Sequence, residues 1–216
     1  MGARPAFWST LALLVPAGCA PTAEHAAGRL AEHRGWITGL AELEGRVYSC
    51  SQAGIFVRSA CYDQLVLQPR FRVVDLAAAT QRSRPHLLAC GGEPAQFGAL
   101  LTLDPNGRAI KTLRLGKDLV YRVAAAPGGS RGAAACADGK VYIFALPSLE
   151  NLELVLEHHA PARAVAFSPD GARLASAGLD GLIHLARLVR RKKPRILKDH
   201  RAGVECLAFS PDGRLL

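Results

Sequence analysis

The phrase "AFSPDG" occurs twice, at Ala166–Gly171 and Ala208–Gly213, and the second copy lies 42 residues after the first. The spacing holds for neighbouring positions as well, with His158 and His200, and Phe167 and Phe209, each 42 residues apart. One repeat further back, "VAAAPGGSRGAAACADGKVYIFAL" (123–146) lies under "VAFSPDGARLASAGLDGLIHLARL" (165–188) without a gap. There Val123 matches Val165, Pro127 matches Pro169, and Asp138-Gly139 match Asp180-Gly181. "HRGWITGLAELEGRVYSCSQAGIFVR" (33–58) keeps the same order, and the segment 75–104 fits more loosely, with extra residues before Phe97. A chain that repeats at this period folds as an array of like units, which excludes most other architectures at once.

Each unit carries the signals of short strands joined by tight turns. An apolar run such as "VAF" is followed by "SPDG", in which Pro fixes φ and Asp-Gly accepts a hairpin turn. Asp170-Gly171, Asp212-Gly213 and Asp138-Gly139 are therefore turn residues. A second apolar run, "RLASAG", ends at another Asp-Gly, and "LIHLARL" makes a third strand. "PRILKDH" supplies a fourth strand and the return. Four strands every 40–45 residues describe the blade of a β-propeller. The expectation is an all-β chain of about four to five blades, with units near 33–74, 75–115, 116–157, 158–199 and 200–216. The last unit stops soon after its first turn and is expected to be a truncated blade of a longer protein.

The pattern His-x3-Ala-x2-"VAFSPDG"-x2-"LASAGLDG"-x-Ile-x-Leu from His158 to Leu185, partly restated from His200 to Gly213, resembles the WD-repeat family. That resemblance implies a buried hydrogen-bond network of His, Ser or Thr, Asp and Trp in each blade. The matching positions are His158, Ser176 and Asp180, with His200 opening the next set. Ala186 stands where Trp is expected, and Arg187 where the terminal Asp is expected. The resemblance further implies a non-catalytic scaffold for protein–protein interaction. A fold of this kind hosts many jobs, so the alternative stays open that the propeller is an accessory of a larger exported enzyme or sensor whose active domain lies outside this chain.

Chemistry-bearing motifs are sparse. There is no G-x-S-x-G, P-loop or H-E-x-x-H, and the Gly-rich stretches "GGEPAQFG" and "PGGSRG" do not run into a helix that would cradle phosphate. None of the six cysteines forms a C-x-x-C pair, so neither zinc nor haem is expected, and no cofactor is. Cys50, Cys90 and Cys136 end the similar strings "VYSC", "LLAC" and "AAAC" and read as small buried strand residues. The formal net charge of +9 is concentrated in "RLVRRKKPRILK" (187–198), a run without an aromatic residue. It reads as a solvated loop, and a protein or peptide is the expected partner rather than a nucleic acid. Loop residues such as Arg163 and Lys198 are the natural places to probe such binding.

Residues 1–19 have one basic residue, an apolar stretch and then small residues, the layout of a secretory leader. "PAGCA" resembles the lipobox of bacterial lipoproteins, which would make Cys19 the lipidated residue; Pro16 stands where that family usually has Leu. Residues 20–32 read as a linker. The expectation is export, to the periplasm or to a membrane held through the lipid alone, with a cytoplasmic protein as the alternative.

Overall fold

A computed structural model describes residues 36–51, 54–58, 63–189 and 193–216; the leader, the linker, Cys19 and most of Arg190–Lys193 lie outside the described residues. The described chain forms sixteen strands and no helix, in four sheets of four antiparallel strands, each in chain order. The first sheet holds β1 (Gly39–Leu43), β2 (Arg46–Ser51), β3 (Gly54–Arg58) and β4 (Asp63–Leu67). The second holds β5 (Arg72–Gln81), β6 (Arg84–Glu93), β7 (Phe97–Leu103) and β8 (Ala109–Leu115). The third holds β9 (Val120–Ala125), β10 (Arg131–Cys136), β11 (Lys140–Ala145) and β12 (Glu153–Glu157). The fourth holds β13 (Ala162–Phe167), β14 (Arg173–Gly178), β15 (Ile183–Arg187) and β16 (Arg195–Leu197).

The four sheets are the blades of a propeller, and their first strands pack in succession, β1 on β5, β5 on β9 and β9 on β13. The period-2 geometry of a strand explains the composition of the second strands. In β10, Ala133 and Ala135 face the core shared with the fourth sheet, while Ala134 and Cys136 face the core shared with the second. In β6, Leu87 and Ala89 face the first sheet, and Leu88 and Cys90 face the third. A strand buried on both faces cannot alternate apolar with polar, so "LLAC" and "AAAC" are apolar throughout. Cys50, Cys90 and Cys136 are buried accordingly, whereas Cys206 is exposed. Burial pushes the Cys50 thiol up to about 11 and that of Cys136 to about 12, so both stay protonated and unreactive.

Residues 198–216 form no strand, yet their turn copies that of the fourth sheet. Gly171 N–H donates to the Ser168 carbonyl at 2.8 Å, and Gly213 N–H donates to that of Ser210 at the same distance. Asp170 accepts from Ala172 N–H at 3.0 Å, and Asp212 from Arg214 N–H at 3.0 Å. Val204 closes a small core with Ala164, Ala177 and Ile183 of the fourth sheet.

A buried histidine network and the latches between sheets

In the fourth sheet the turn after β14 carries Asp180, β14 carries Ser176, and His158 enters from the connection before β13. The His158 ring joins the other two: Nε2 lies 2.8 Å from Ser176 Oγ, and Nδ1 lies 3.1 Å from Asp180 Oδ2. Asp180 also accepts the N–H groups of His159 and Leu182, both at 3.1 Å. Burial works to raise the Asp180 pKa, but the Leu182 N–H and His158 outweigh it and hold the carboxyl below its ordinary value.

The Ser-His-Asp order of these contacts resembles a hydrolytic triad, and its surroundings decide against that use. Ser176 is 0% exposed, so no substrate carbonyl reaches its oxygen. The group instead ties the turn after β14 to the entry of β13, a bracing role.

Sequence matching leaves Ala186 at the Trp position, and Ala186 is buried in the core between the third and fourth sheets. The ring that lies against His158 comes from His184, two residues earlier. The two imidazoles stack with centroids 4.2 Å apart and planes inclined by 18°. His184 Nε2 is buried without a hydrogen-bond partner among the described residues, and burial first, then His158, lowers its pKa. Ligand atoms of His158, Asp180 and His184 lie within 4.8 Å of one another. Near-parallel stacked rings direct their in-plane lone pairs side by side, however, not at one point, and both His158 nitrogens already have partners. The arrangement therefore suits packing better than a metal ion.

Among the described residues, His200 is not drawn into such a network. Its side chain is exposed. Its backbone does repeat the pattern. A Cβ on Gly181 would lie 3.2 Å from the His200 carbonyl, and one on Gly139 would lie 2.5 Å from the His158 carbonyl.

Several contacts that sequence reasoning missed join one sheet to the next. Asp75, at the start of β5, is buried and accepts the Val123 N–H of β9 at 3.0 Å, with Arg122 at 3.4 Å. Burial raises its pKa, and these two donors work against that rise. The Arg131 guanidinium donates to the Gly171 carbonyl at 3.0 Å, and Arg173 repeats the latch on Gly213 at 2.6 Å. The 42-residue period is the signal that could have found these: Arg131 and Arg173 are repeat mates, as are Gly171 and Gly213. Arg163 corrects the reading of it as a loop probe. It lies in β13, 4.3 Å over the Tyr121 ring and 2.9 Å from Glu205, both its repeat mates. Lys198 is exposed beyond β16.

Among the described residues, no helix is long and apolar enough to cross a membrane. The family model "WD domain, G-beta repeat" matches residues 150–185 and 191–216. No curated protein matches the chain. The matched repeats coincide with the sheet that holds the histidine network and with the turn that copies it, and the sheets before them are built on the same four-stranded plan. WD repeats thus lie at residues 150–185 and 191–216, and the four-stranded antiparallel sheets fit a propeller of the WD-repeat type.

Proposed function

We propose that this chain is a non-catalytic platform that holds a protein or peptide partner. WD repeats mark a domain of the protein-interaction kind. The observation that carries the reading for this chain is the internal use of its chemistry-bearing groups. His158, Ser176 and Asp180 brace one sheet, Asp75 joins two, and the turn aspartates bind their own backbone N–H groups. What remains for recognition is the outer surface of a rigid scaffold. Affinity purification of the tagged full chain is expected to recover a partner in near-stoichiometric amount, and a fluorophosphonate probe is expected to leave Ser176 unlabelled. Failure to enrich any protein over a control bait, or labelling of Ser176 in the folded chain, would overturn the reading.

We further propose that residues 1–19 act as an export leader and that Cys19 carries lipid, followed by a linker over 20–32 and the propeller from residue 33. The charge, apolar and small-residue layout supports this. Mass spectrometry of the protein from a bacterial host is expected to show loss of the leader near Gly18 or Cys19. An intact Met1 would contradict it.

A further inference from the structure

The second sheet carries an outer groove. Between its outer strands β7 and β8 and the connection Gln68–Phe71 lies a cleft of about 380 Å³, within the range of small-ligand and side-chain pockets. Its inner wall is apolar: Ala99 and Leu101 are buried beneath it, and Leu67 and Phe71 are half-buried beside them. Phe71 meets Phe97 edge-to-face, with centroids 6.4 Å apart and planes at 79°, and the Arg114 guanidinium lies 4.3 Å over Phe97. A second cleft shares Gln68–Phe71 and continues past Arg72 to Glu93 and Pro94.

The rim is cationic. Arg70, Arg72 and Arg114 are exposed, and among the described residues none of them forms an ion pair. Among the described residues, Glu93 is the one carboxylate lining either cleft. The outer strand of the third sheet, "ELVLE", is by contrast acidic. Unpaired guanidinium groups beside an apolar cleft complement a ligand with an apolar anchor flanked by carboxylates. The aromatic rings do not form a stacking platform for bases, because Arg114 caps one ring and the other meets it edge-to-face.

We propose that this groove is a docking site for an acidic peptide segment of a partner protein, with one apolar or aromatic side chain seated against Phe71 and Leu101 and carboxylates on Arg70, Arg72 and Arg114. The proposal rests on the platform reading and specifies its surface and the chemistry of its partner.

Selection of a random displayed-peptide library on the purified full chain tests it. The expected consensus is a large apolar residue flanked by Asp or Glu. A labelled peptide of that consensus is expected to lose at least about tenfold in affinity against the double variant R70E/R72E, as reversal of rim charge predicts. Both side chains are exposed, so this variant keeps the fold, and an unchanged melting curve checks it. A109E, which places a negative charge on the exposed wall of the cleft, is expected to weaken the peptide independently. A consensus without acidic residues, equal binding by the variants, or displacement of the peptide by a short oligothymidylate at lower concentration would overturn the proposal. If the partner recovered by affinity purification binds R70E/R72E as well as the unaltered chain, the groove assignment fails while the platform reading stands. If neither chain recovers a partner, the platform reading itself fails.

Discussion

At the residue scale, His184 makes the chain sensitive to acid. His184 has an ordinary value of 6.5, and burial and His158 hold it lower in the folded chain. The unfolded chain takes up this proton first as pH falls. Stability is therefore full above about pH 6.5 and declines as pH drops toward the lowered folded value. His158, His159 and Asp180 are the titratable groups that face this ring. Asp180, held below its ordinary 3.8, loses stability in the same direction at lower pH. The melting temperature is expected to fall between about pH 7.5 and about pH 5.5, and to fall less in His184→Leu. His86, also lowered by burial, accounts for part of the decline that remains. An identical decline in both proteins would show that His184 is not the acid-labile group. This ring was not legible in the sequence. The family resemblance expects Trp where Ala186 stands, and only the pairing of His184 with Ser176 across β14 and β15 shows which side chain lies against His158.

At the scale of the element, the turns specify the sheets, and their glycines differ in what they tolerate. Gly45 has φ of 73°, and a Cβ there would meet nothing within 4 Å; Gly139 has φ of 85° and faces the His158 carbonyl at 2.5 Å. Ala at Gly45 is expected to cost about 1 kcal/mol, from the left-handed backbone alone. Ala at Gly139 bears the same cost plus a collision with backbone, and is expected to lose at least about twice as much. Urea denaturation of the two variants checks the order, and equal losses would contradict it. Turn chemistry also explains where the repeat was easy to read. "SPDG" and "LDG" announce the hairpins of the fourth sheet, and "APGG" and "ADG" those of the third, so these two sheets stand out. The second sheet is weak in sequence because β5 and β6 turn through Arg82 and Ser83, with φ of 47° and 61°. Neither is a glycine or asparagine, so no turn signal marks the hairpin.

At the scale of the whole molecule, each sheet is held by its neighbours in chain order, through apolar cores and a few latches. Period-2 patterning made the doubly buried strands visible in the sequence. Asp75 was not visible, because its acceptor role depends on Val123, 48 residues away and in another sheet. Such an array has stability made of repeat and nearest-neighbour contributions. Removing Asp75 leaves the Val123 N–H buried without an acceptor. Asp75→Ala is therefore expected to cost about 1–3 kcal/mol in chemical denaturation. A loss near zero would show that the latch is idle.

The repeated blade is the central claim, and amide hydrogen exchange followed by mass spectrometry tests it most directly. Slow exchange is expected in β6, β10 and β14, the second strands with a partner strand on each side, and faster exchange in β8, β12 and β16 at the outer edges. Protection should thus rise and fall once per repeat along residues 72–197. Protection that is uniform along this segment, or that peaks without the repeat, would contradict the account.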